Sequence, residues 1–138
     1  MYKEAYELLR EILDDEILND YVKNLTGKHL AVINAGAQIT TPAVKITFVG
    51  GEISRADNAM QTVRYNIAFF LPFWGTDALE MSHDFMDVAI QAFFDHEQRT
   101  NPARVNRVLR IVPSIVEEAE DSELWTVAFD ATVSIFMY

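Results

Sequence analysis

Residues 123–138 read ELWTVAFDATVSIFMY, and this stretch decides the fold. Trp125, Val127, Phe129, Ala131, Val133, Ile135 and Met137 alternate with Thr126, Ala128, Asp130, Thr132, Ser134 and Phe136. Period-two alternation puts successive side chains on opposite faces of a strand, one face on a core and one turned away. The outward set is small and polar until it becomes aromatic at Phe136 and Tyr138. An apolar outer end on a strand that closes the chain points to a surface covered by something else.

The same pattern occurs upstream. In Val63–Phe73, Tyr65, Ile67, Phe69 and Leu71 share one face, while Arg64, Asn66, Ala68, Phe70 and Pro72 share the other. Pro42 opens a further strand in which Val44, Ile46 and Phe48 oppose Lys45 and Thr47. Proline is tolerated at a strand's first residue because no ladder donor is lost there. Gly50-Gly51 marks a bulge or turn, and the polar Glu52–Thr62 segment reads as a long loop. Leu30, Val32 and Ile33 are compatible with a short strand, interrupted at Asn34-Ala35-Gly36. Arg107–Val116 gives another strand, joined to the last by the acidic turn Glu117–Asp121.

Helical spacing appears twice. Ala5, Leu8, Leu9, Ile12, Leu13, Ile17 and Tyr21 make one apolar stripe, predicting a single helix from Tyr2 to about Asn24 with Gly27 as its stop. Leu79, Ser82, Phe85, Met86, Ala89, Ile90, Phe93 and Phe94 give a second, opened by an Asp77/Glu80 capping pattern and ending before Asn101-Pro102. The order α-β-β-α-β-β predicts one α+β domain over residues 1–138, a mainly antiparallel or mixed sheet with two helices on one face.

Composition narrows the function classes. Half of the 138 residues are hydrophobic, enough for a packed core. The formal charge is −10, which opposes non-specific nucleic-acid binding. Cysteine is absent, so disulfides, thiolate metal sites and cysteine nucleophiles are excluded. The longest apolar run, Ile67–Trp74, is eight residues and contains Pro72, against about 20 for a membrane-spanning helix. The charged Met1–Asp15 segment lacks the apolar stretch of a signal peptide, and an intracellular soluble protein is expected.

No catalytic pattern stands out. Glu80, His83 and Asp87 share a helical face, but one Glu-x-x-His motif is only half of a di-iron carboxylate site and the chain has two helices, so a solvated, charge-balanced face is the favoured reading. His29, His83 and His96 lie far apart, and no serine sits in a G-x-S-x-G elbow. No glycine belongs to a phosphate-cradling loop. Arg99, Arg104, Arg107 and Arg110 form a basic concentration, open to two readings. One is an anion or nucleic-acid patch. The other, favoured by the acidity of the chain, is intersubunit pairing with acidic stretches such as 117–123 or the first helix. Phe70, Phe73, Trp74, Phe136 and Tyr138 are an aromatic excess at outward or terminal positions, covered either within the monomer or by a neighbouring subunit.

The leading amphipathic helix, the Thr41-Pro42-Ala43-Val44-Lys45-Ile46 strand opening, the polar 50–62 excursion, the Arg64–Leu71 strand, the Asp77–Phe94 helix and the closing hairpin together resemble the tail terminator, or tail completion, proteins of Mu-like long-tailed bacteriophages and prophages. The resemblance covers most of the chain as pattern and size. It implies a structural protein rather than an enzyme, with no catalytic residue, cofactor or metal. Such proteins form hexameric rings that cap the tail tube, end its polymerisation and present the head-joining surface. The implied partners are the chain itself, a tail tube protein and a head-completion or connector protein, with no membrane and no sequence-specific nucleic acid. DNA would pass through the ring lumen, and the setting would be the host bacterial cytoplasm and then the virion tail. Exposure and charge nominate Arg55, Arg64, Phe73, Trp74, Arg104, Arg107, Glu117, Glu118, Phe136 and Tyr138 as the subunit or tube interface. Competing readings are another phage head–tail connector or neck component, an acidic inhibitor or adaptor protein, and a pocket-binding α+β domain.

Overall fold

The computed structural model describes residues 2–33, 42–52, 61–73, 77–100, 106–118 and 124–135. The elements are α1 (Tyr2–Leu13), α2 (Glu16–Thr26), β1 (Ala31–Ile33), β2 (Ala43–Glu52), β3 (Gln61–Pro72), α3 (Ala78–Thr100), β4 (Val108–Glu118) and β5 (Leu124–Ile135). The strands form one mixed sheet in the order β1-β2-β3-β5-β4, antiparallel except for the parallel β1–β2 pair. The α+β class agrees with the sequence, but a helix and a short strand are added to the expected order.

The extra helix arises at Asp15. Its backbone (φ −56°, ψ 134°) leaves the helical region, and its carboxylate accepts hydrogen bonds from the N–H groups of Ile17 (3.0 Å) and Leu18 (3.2 Å). An N-cap of this kind starts a new helix rather than continuing an old one. Asn19 completes the joint. Its Nδ2 donates to the carbonyls of Leu13 (2.8 Å) and Asp15 (3.0 Å), and its Oδ1 accepts from the Leu30 N–H (3.2 Å). The second Asp15 oxygen meets Nδ1 of His96 on α3 at 2.9 Å. Asp15, Asn19 and His96 are all buried. Chained hydrogen bonds offset the desolvation of these groups. Gly27 ends α2 with φ 76°, its N–H bonded to the Lys23 carbonyl, as the sequence predicts.

The core lies between the helices and one face of the sheet. Val63, Tyr65, Ile67, Phe69 and Leu71 of β3 and Val127, Phe129, Ala131, Val133 and Ile135 of β5 are its sheet side, so the alternation read from both strands holds. α1 contributes Ala5, Leu8, Leu9, Ile12 and Leu13, and α3 contributes Phe85, Ala89, Ala92 and Phe93. Ring contacts connect the layers: Phe69 lies 4.9 Å from Phe85 and 5.9 Å from Phe129, and Phe93 lies 6.1 Å from Phe129, between centroids. β4 is an outer strand and carries Pro113, with register shifts between Val108 and Arg110 and between Pro113 and Ile115. Gly51 makes room for α1, since a Cβ there would stand 2.7 Å from the Tyr2 hydroxyl.

Candidate assembly surface

The other sheet face has no helix packed on it among the described residues. Strand register places its side chains in rungs, because directly paired residues of neighbouring strands share a face. One rung runs Arg64–Thr132–Arg110, the next Asn66–Asp130–Val112. Arg107 stands at the end of the same face, its N–H donating to the Ser134 hydroxyl (2.8 Å) and its carbonyl accepting from the Ser134 N–H (2.8 Å). Asn66 Nδ2 donates to Asp130 (3.1 Å) and reaches the Ser114 hydroxyl at 3.4 Å, joining the three strands.

These rungs border a shallow depression of about 260 Å³, lined by Val49, Arg64, Tyr65, Arg110, Val112, Asp130, Ala131 and Thr132. Val49 enters it because β2 slips register between Phe48 and Gly50, lifting an extra residue out of the ladder. Arg64 and Arg110 are exposed, and neither has an ion-pair partner among the described residues. With strands about 4.8 Å apart, their Cα atoms flank Thr132 at a separation of roughly 10 Å. Val49 is more than half exposed there, whereas Phe48 pairs with Tyr65 and lies on the helix side of the sheet, 5.7 Å from the Tyr2 ring. Burial, and secondarily the neighbouring Tyr2 and Tyr6, pushes the Tyr65 phenol above its ordinary range. It stays neutral at physiological pH, on the helix side of the sheet. Exposed arginines beside Val49 and Val112 have a composition that suits a protein contact.

The helix layer has the opposite character. On α3, Glu80, Asp84 and Asp87 recur at four- and three-residue spacing, are exposed, and have no ion-pair partner among the described residues. The expected charge balance of this face is therefore not met: exposed His83 lies among the three acids, and no lysine or arginine side chain of α3 stands there among the described residues. Exposed Leu79 and Phe94 flank the stripe. On α1 the acids are interleaved with bases: Lys3 pairs with Glu7 (3.9 Å), and Arg10 lies one residue from Glu11.

Of the nominated interface residues, Arg64, Arg107 and Glu117 are exposed on the open sheet face. Phe73 is not a surface residue. It is only 2% exposed, packed 6.3 Å from both Phe85 and Trp125, because it continues the odd-numbered core side of β3 past Pro72. Arg55, Trp74, Arg104, Phe136, Tyr138 and the side chain of Glu118 lie outside the described residues, as does most of the 52–62 loop. Arg110 was visible only as part of a basic concentration, and Val49 and Val112 not at all. Their convergence depends on cross-strand register and a bulge, which no short stretch of sequence displays.

Among the described residues no group of three or more histidine, aspartate and glutamate side chains is arranged to hold a metal, and no helix is long and apolar enough to cross a membrane. No family model matches the chain, and no curated protein matches it. One solved protein structure, known only by a sequence code, aligns over 96% of this chain and 96% of its own at 14% identity, with a TM-score of 0.46. A likeness at that level carries no functional argument.

Proposed function

We propose that this chain is a structural protein of phage tail assembly, a terminator that forms a ring on the end of the tail tube, stops its growth and offers a surface for head joining. The observation that supports it best is the two-sidedness of the protomer. One face is a sheet bearing exposed Arg64 and Arg110, the other a helix layer bearing exposed Glu80, Asp84 and Asp87, and none of the five has an ion-pair partner among the described residues. Different patches on opposite sides of one subunit suit head-to-tail contacts, which close into rings when the rotation between copies allows. The acidity of the chain suits a lumen that DNA must traverse without adhering. The role proposed is structural and non-enzymatic.

Light scattering on a size-exclusion column, with negative-stain imaging of the same peak, tests the assembly. Six copies of the 15.7 kDa chain give a particle of about 94 kDa. Adding the protein to polymerising tail tube protein tests the role: tubes should stop elongating and carry extra density at one end. Tubes that grow to the same length with and without it would refute the terminator reading.

A further inference from the structure

We infer that the Arg64–Arg110 depression receives the acidic α3 stripe of a second copy of this chain, stacking the sheet face of one protomer on the helix layer of the next. This rests on the ring-forming reading above and names the two surfaces that would make the contact.

Three features carry it. Both charge sets lack ion-pair partners within the protomer among the described residues. Their spacings also agree: Glu80 and Asp87 are seven residues apart, about 10.5 Å along a helix, against roughly 10 Å between Arg64 and Arg110 across two strand spacings. A helix laid across the strands would present one acid to each arginine, with Asp84 over Thr132. Finally, both surfaces pair charge with apolar area, Val49 and Val112 on the sheet against Leu79 and Phe94 on the helix. The α1 stripe is the weaker partner because Lys3 and Arg10 already offset its acids. A contact joining two unlike faces leaves each copy with one face unused, so assembly continues past a dimer until it closes.

The test is a charge swap. Arg64→Glu/Arg110→Glu makes both surfaces acidic, and Glu80→Arg/Asp87→Arg makes both basic; all four positions are exposed. Far-UV circular dichroism checks folding, and sedimentation velocity reads assembly. Each double variant alone should self-associate at least about tenfold more weakly than wild type. An equimolar mixture should recover wild-type mass, since acidic sheet faces then meet basic helices and the reverse. The quadruple variant should recover it alone. Folded double variants with wild-type assembly would overturn the inference while leaving the ring reading intact. So would loss of assembly that neither the mixture nor the quadruple variant restores. A wild-type chain monomeric at every concentration would overturn this contact, and tube capping would then decide the tail reading separately.

Discussion

Replacing Asp15 with alanine gives the sharpest check on how the helix layer is built. The carboxylate caps α2 through the Ile17 and Leu18 N–H groups at 3.0 and 3.2 Å and holds His96 Nδ1 at 2.9 Å. Loss of the cap costs about 1 kcal/mol. Leaving a buried His96 nitrogen without this partner adds about 1–3 kcal/mol. The expected loss is thus about 2–4 kcal/mol, a large share of the roughly 5–15 kcal/mol by which domains are stable. Urea unfolding followed by circular dichroism would show the midpoint falling by roughly 1–2 M at a slope of about 2 kcal/mol/M. Asp15→Asn keeps an oxygen for the two N–H groups and should lose less. A continuous helix over residues 2–26 predicts the opposite sign, because alanine would then raise helix propensity by up to about 0.7 kcal/mol. An unchanged or raised midpoint would refute the two-helix joint. So would full additivity with His96→Ala, because residues in direct contact should couple.

Phe129→Ala should cost about 3–5 kcal/mol in the same assay, since it is fully buried and meets both Phe69 and Phe93. Stability should decline as pH rises through about 10, where unfolded tyrosines ionise. Burial first, with Asp84 second at Tyr21 and Tyr2 and Tyr6 second at Tyr65, raises both native phenols. The native state therefore binds more protons than the unfolded state in that window, and the contribution is intact below it. Urea midpoints across the window should flatten in Tyr21→Phe/Tyr65→Phe. Arg107→Glu, at the end of the open face, should weaken self-association without unfolding the monomer, as read by sedimentation beside circular dichroism. Unchanged oligomers would remove Arg107 from the contact.

The strands were legible where alternation was strong. β3 and β5 are central in the sheet, so one face of each must be apolar over its whole length, and Val63–Leu71 and Val127–Ile135 display that need directly. The stop at Gly27 was legible because a left-handed cap selects glycine. The break at Asp15 was not. The apolar stripe passes through it in phase, and the partner that fixes it, His96, is 81 residues away. Ser134 illustrates the same limit on the outward side: it is 1% exposed, and its hydroxyl is tied to the backbone of Arg107, just ahead of β4. The candidate surface was legible as a list of charges but not as a place. Arg64 and Arg110 become neighbours of Thr132 only through pairing of three strands.

Pro113 and the two register slips of β4 have a consequence for a chain proposed to meet copies of itself. An outer strand normally offers a row of free backbone donors and acceptors to any strand that approaches. Here the row lacks a donor at Pro113 and loses its regular spacing on either side. A second sheet trying to extend this one would find its ladder interrupted within a few residues. Edge-to-edge growth is indifferent to number and runs on into fibres. By spoiling that edge, the fold leaves side-chain surfaces to govern association, and these can fix both the angle between copies and the count at which they stop.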